Sequence, residues 1–261
     1  MNYTFCTKTD PGRARDNNED SVAYDETVQL AVLADGMGGY NAGEIASGMA
    51  TAFIKSEMSR WLSEVGKQAK IKEIRRALEI CVDNANKSIY NAANSNAQYS
   101  GMGTTLVVAV FHGDKAILGH IGDSRCYRLR GGEFAQITKD HSLLQEQIDA
   151  GLLTVEQAST SSYKNLVTRA LGVDDAVALD LNEFDVEPGD LYMMCSDGLS
   201  DMVDDNEIAS ILDSEQTMEQ KAEQLIAVAN EHGGRDNISV LLTQASHGGH
   251  KRGLISRLLR K

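Results

Sequence analysis

The chain has only two prolines, Pro11 and Pro188, in 261 residues, and neither an internal repeat nor a low-complexity stretch. No apolar run approaches the ~20 residues of a bilayer span, so no transmembrane segment is expected. The opening Met1-Asn2-Tyr3-Thr4-Phe5 lacks the basic-then-apolar layout of an export signal, and a cytoplasmic protein is expected. The four cysteines, Cys6, Cys81, Cys126 and Cys195, stand dozens of residues apart. No pair has zinc or redox spacing, which predicts free, mostly buried thiols in a reducing compartment. The six histidines form no ligand set either, so any metal must be held by oxygen. Basic charge is scarce: 25 Lys and Arg face 38 Asp and Glu, a net charge of −13. A general nucleic-acid binder, whose footprint is basic, is thereby disfavoured.

What is present is a large apolar fraction, 42%, enough for a sizeable core. The acidity is uneven, because residues 247–261 carry five Lys and Arg and no acid. Leu254, Ile255, Leu258 and Leu259 recur there among Arg257, Arg260 and Lys261. The preferred reading of this tail is a solubilising end. The alternative is a weak contact with an anionic membrane or an acidic partner.

Periodicity predicts a hairpin from 21–24 and 28–34, helices over 42–62 and 71–93, and strands at 104–111 and 115–121. A hairpin follows at 124–130 and 133–137, then a flap-like insertion over 140–171 with a short helix at Ser142–Ala150. Strands at 177–184 and 190–195, helices at 205–213 and 217–231, and a strand at 238–243 complete the pattern. Hairpins with helices grouped in pairs imply antiparallel sheets and an α+β fold.

Five aspartates flank strands. Asp35 and Asp197 each end an apolar run and precede glycine, Asp123 lies between two strands, and Asp20 and Asp236 begin strands. Antiparallel pairing sets the start of one strand beside the end of its neighbour, so Asp20 meets Asp35 at the open end of their hairpin. Asp197 and Asp236 meet likewise if their strands are neighbours. Carboxylates gathered on one rim repel unless cations sit among them, and an oxygen-only set suits Mg²⁺ or Mn²⁺. The Gly36-Met37-Gly38-Gly39 loop is not a dinucleotide site, because position 41 is Asn where the third glycine would stand.

Six stretches then occur in order: Arg15-Asp-Asn-Asn18-Glu19-Asp20, Ala34-Asp35-Gly36-Met37-Gly38-Gly39, Gly103-Thr104-Thr105, Gly122-Asp123-Ser124-Arg125, Ser196-Asp197-Gly198-Leu199 and Arg235-Asp236-Asn237-Ile238-Ser239. With them the chain resembles the metal-dependent (type 2C) protein serine/threonine phosphatases in their bacterial form, over about residues 4–243. The resemblance implies two antiparallel sheets packed as a central sandwich between helical pairs (α-β-β-α), with a flap insertion. It implies a single catalytic domain at 1–246 followed by the tail, and hydrolysis of phosphoserine and phosphothreonine through a metal-activated bridging water. Two or three Mn²⁺ or Mg²⁺ ions are implied. Asp35 would bridge two of them and Gly36 lend its carbonyl; Asp197 and Asp236 complete one shell. Asp20, with Glu19, serves the second ion, and Asp123, sharing Asp197, the third. Arg15 would hold the substrate phosphate. The implied partners are phosphorylated proteins, including a Ser/Thr kinase or its targets, for a monomeric enzyme. Two positions depart from the family pattern: Met37 stands where eukaryotic members often have His, and Ser161-Ser162 where bacterial relatives often have His-Pro. His120, His141 and Trp61 are read as packing residues.

Overall fold

Strands that are apolar at consecutive positions need cover on both faces, and β3 (Leu30–Met37) and β5 (Leu106–His112) have it. The computed structural model describes residues 1–38, 42–154, 157 and 166–247. Along β3, Leu30, Val32 and Ala34 enter one apolar layer while Ala31 and Leu33 enter another. Along β5, Leu106, Val108 and Val110 alternate in the same way with Val107, Ala109 and Phe111.

These strands belong to a six-stranded antiparallel sheet, with β2 (Asp20–Asp25), β6 (Lys115–Ile121) and β9 (Asp180–Asp185) in the order β2-β3-β5-β6-β9 and β4 (Gly103–Thr104) paired to β3. A five-stranded antiparallel sheet packs against it. It comprises β1 (Asn2–Asp10), β11 (Ile238–Ser246), β10 (Leu191–Cys195), β7 (Arg125–Arg130) and β8 (Glu133–Gln136), in that order. Tyr3, Phe5, Phe111, Tyr192 and Leu241 fill the space between the sheets. Helices α1 (Ala42–Val65) and α2 (Ile71–Ser95) cover the larger sheet. Two short helices, α3 (Leu143–Asp149) and α4 (Asp197–Ser200), flank the crossovers. Helices α5 (Asp205–Leu212) and α6 (Met218–Glu231) cover the smaller sheet. The expected α-β-β-α sandwich is therefore present.

Several local expectations change. Strand β1 was not anticipated, although Tyr3 and Phe5 alternate with polar residues along it. The strand expected at 104–111 breaks at Thr105, which leaves the ladder to bond Asp35. The strand expected at 177–184 begins only at Asp180. Pro188-Gly189-Asp190 forms the turn that links the two sheets, since β9 pairs with β6 and β10 with β7 and β11. In α1 the stripe that packs is Ala42, Ala46, Ala50, Ile54, Met58 and Leu62, while Ile45 is exposed. Small alanines on this stripe let the helix approach the sheet closely. Within the flap expected at 140–171, the Ser/Thr stretch 159–162 lies outside the described residues. So do Gly39 and the tail beyond His247. Among the described residues no helix is long and apolar enough to cross a membrane. All four cysteines are free; Cys81, Cys126 and Cys195 are buried and Cys6 half-buried.

Candidate metal centre

The β2–β3 hairpin pairs Asp20 directly with Asp35, as the strand-end reasoning required. Strands β10 and β11 are antiparallel neighbours, which brings Asp197, just past β10, beside Asp236, just before β11. Asp123 lies in the crossover from β6 to β7, where the chain passes between sheets. The result is a cleft of about 230 Å³ at one end of the sandwich, lined by Arg15, Glu19, Asp35, Gly36, Met37, Thr105, Asp123, Val167, Asp197 and Asp236.

Asp35 is at the centre of this charge. Burial pushes its carboxyl well above the usual range, and Asp20, Asp197, Asp123 and Asp236 push it further. Asp197 is raised by burial first and then by Asp123, Asp201, Asp236 and Asp20. Asp123 is raised to about 6, mainly by burial and then by Asp140. Acids forced together out of water in this way make a site that cations relieve. The protein holds them in place through the backbone. Thr105 accepts the Asp35 N–H on its hydroxyl (2.9 Å) and donates its own N–H to the Asp35 carbonyl (2.9 Å). Thr104 Oγ1 donates to that same carbonyl (2.8 Å). The Gly103-Thr104-Thr105 motif thus fixes the aspartate and lies behind it.

Gly36 is required by space. A Cβ there would lie 2.1 Å from the Gly43 carbonyl oxygen and 2.6 Å from that of Glu19. Its N–H donates to the Glu19 carbonyl (3.0 Å), which joins the start of α1, the β3 end and the Arg15–Asp20 segment.

Of the expected ligands, Asp20 sits differently from the others. Its side chain is anchored by a hydrogen bond accepted from Ser196 Oγ (2.7 Å), lies next to the Asp35 carboxyl, and leaves its Oδ1 buried without a hydrogen-bond partner. Burial raises it to about 6. Glu19 is the residue of this pair that reaches the cleft. Two residues were given no role by the sequence reading. Asn237 accepts from the Glu19 N–H (2.8 Å) and donates to the carbonyls of Pro11 (3.0 Å) and Asn17 (2.8 Å), stapling the Arg15 loop to β11. Asp201 lines a recess next to the cleft with Asp123, Asp140 and Asp197. It falls one helical turn beyond Asp197, and i,i+4 spacing was the signal that could have found it. Arg15 Nη2 donates to Asp236 Oδ2 (2.7 Å) at the cleft mouth, with the guanidinium half exposed.

The family model described as Protein phosphatase 2C matches residues 12–242. The chain belongs to this family. The "Serine/threonine phosphatase stp" of Listeria innocua is 38% identical over 244 residues, covering 91% of this chain and 94% of the relative. The crystal structure of the Mycobacterium tuberculosis serine/threonine phosphatase PstP/Ppp aligns with a TM-score of 0.87 at 36% identity, over 95% of this chain and 100% of that one. A structure of the PstP catalytic domain in complex with two manganese ions aligns at 0.81, also at 36% identity, over 94% and 99% of the two chains. The chain is thus a metal-dependent hydrolase of phosphoserine and phosphothreonine in proteins.

Proposed function

We propose that the acidic cleft holds two or three Mn²⁺ or Mg²⁺ ions through Glu19, Asp35, the Gly36 carbonyl, Asp123, Asp197, Asp201 and Asp236. The observation that carries this reading is Asp35, half-buried in the cleft lining, whose carboxyl is raised by burial and by four other carboxylates. The unpartnered Oδ1 of Asp20 and the exclusion of any side chain at Gly36 agree with it. Asp35 would serve two ions, Asp197 and Asp236 would complete one shell, and Asp20, with Glu19, would serve the second ion directly or through water. Asp123, Asp197 and Asp201 would hold the third ion.

When bound, the ions supply positive charge for the phosphate dianion and make a water molecule acidic enough to attack near neutral pH. The remaining work falls to the chain. Arg15 presents a planar fork of donors, and phosphate oxygens can replace Asp236 as its acceptors. Thr104 and Thr105 keep Asp35 from moving as charge changes around it. Val167 supplies an apolar edge from the base of the flap.

Residues 1–246 form one catalytic domain with its flap at about 140–171, acting in the cytoplasm as a monomer on phosphoproteins set by an opposing Ser/Thr kinase. The tail is a solubilising end. Truncation after Ser246 is therefore expected to leave phosphopeptide turnover unchanged, and altered turnover would show that the tail touches the site. A non-catalytic module on this fold would have lost one of Asp35, Asp197 or Asp236, and all three are present. Hydrolysis of an aryl phosphate with Mn²⁺ should vanish in EDTA and in Asp197→Ala. Undiminished turnover in either condition sinks the ion assignment.

A further inference from the structure

A second titratable cluster lies beside the cleft and has no part in the chemistry above. His120 and His141 stack with ring centroids 4.7 Å apart and planes 18° from parallel, and Asp180 completes a grouping close enough to suggest a metal. Two features argue against an ion there. Stacked rings aim their in-plane lone pairs side by side, so they do not converge on one point. The place of a cation is also taken, since Arg169 Nη1 lies 2.8 Å from Asp180 Oδ1 and 3.2 Å from His141 Nε2.

The bonding of His141 points to another role. The Gly122 N–H donates to His141 Nδ1 (3.1 Å), so that nitrogen keeps its lone pair and Nε2 carries the proton toward Asp180 Oδ2 (3.2 Å). Burial lowers the pKa of the imidazole, His120 and Arg169 add to that, and Asp180 opposes it. The backbone of His141 acts on the same neighbours. Its N–H donates to the Gly122 carbonyl (2.9 Å), and its carbonyl accepts from Thr168 (2.9 Å). One residue therefore grips both backbone groups of Gly122 on one side and the Val167–Thr168 segment on the other.

Both partners border the cleft. Gly122 precedes Asp123 at φ +99°, and Thr105 Cγ2 lies 2.7 Å from where its Cβ would be, so this loop is pressed onto the residue that holds Asp35. Thr168 follows Val167, which lines the cleft and bridges to Ser142. We propose that His141 is a positioning residue that ties the Asp123 loop to the Val167–Thr168 segment, so that third-ion affinity and the position of Val167 in the cleft change together. Asp180, itself held by Arg169, orients its ring. The proposal rests on Asp123 being an ion ligand, and the experiment separates the two.

The test compares the full chain with His141→Leu, His141→Asn and Asp180→Asn. Amide hydrogen exchange on the metal-free proteins reads the clamp without any ion. His141→Leu should speed exchange at Gly122 by about tenfold or more, with Thr168 following. His141→Asn offers Oδ1 in place of Nδ1 and should recover most of that protection. Calorimetric titration with Mn²⁺ should show the weakest binding event in His141→Leu about fivefold weaker, with the tight events unchanged. A folded His141→Leu whose Gly122 exchange matches the parent overturns the proposal, as does a His141→Asn that is equally damaged. If His141→Leu does not fold, Asp180→Asn carries the comparison: Gly122 exchange about threefold faster supports the ring's role, and unchanged exchange overturns it. Asp123→Ala should lose one bound Mn²⁺. An unchanged ion count there overturns the link to the third ion, while the exchange data still report on the clamp.

Discussion

Removing the ions should reverse the usual effect of pH on this protein, and Asp123 shows by how much. Its carboxyl is raised from 3.8 to about 6, chiefly by burial and then by Asp140. A folded-state pKa above the unfolded value means that the native protein binds the proton more tightly. The associated stability is fully present below the unfolded pKa and is lost as pH rises through the folded one. At 1.36 kcal/mol per pKa unit the loss from Asp123 is about 3 kcal/mol, a large part of a typical domain stability of about 5–15 kcal/mol. Asp123→Asn abolishes this titration while nearly preserving shape. Urea unfolding in a chelator should therefore find the two proteins nearly equal below about pH 4, with the variant approaching 3 kcal/mol more stable above about pH 7. Saturating Mn²⁺ should close or invert that gap at the higher pH, because ions stabilise the ionised parent. A gap in chelator that does not change with pH, or a parent more stable at pH 7.5, would refute the picture of acids held together against their own charge.

Three further outcomes follow from the same geometry. Gly36→Ala forces a Cβ to within 2.1 Å of the Gly43 carbonyl oxygen, so denaturant unfolding should show a loss of about 3 kcal/mol or more, with activity abolished. Thr105→Val strands the Asp35 N–H and should cost about 1–3 kcal/mol of stability, again read by urea unfolding, besides weakening Mn²⁺ binding. Arg15→Ala removes the phosphate fork at a half-exposed site, and kcat/KM for phosphopeptides should fall about 10- to 100-fold while the number of bound Mn²⁺ ions stays the same. A fall of less than about twofold would remove Arg15 from the substrate site.

Sequence alone determined the elements and most of the acids. Consecutive apolar residues in β3, β5, β10 and β11 specify strands covered on both faces, because side-chain direction alternates along a strand and an unbroken run sends apolar groups both ways. The hairpin placed Asp20 opposite Asp35 for the same local reason. The alanine stripe of α1 and the strand β1 were less legible, since small or polar residues give weak periodicity and only their packing partners define them. Choosing between adjacent acids was beyond local pattern. Glu19 and Asp20 are neighbours in sequence, yet Glu19 lines the cleft while Asp20 is anchored by Ser196. Asp201 shares a recess with Asp123 and Asp140 only because α4 folds against the Asp123 crossover. The clamp at His141 exists only because three separated segments meet: the β6–β7 crossover, the start of α3 and the Val167–Thr168 segment. Local periodicity decides which residues can face a core; which charges share a cleft is decided by contacts between segments hundreds of residues apart, and only the tertiary structure supplies those.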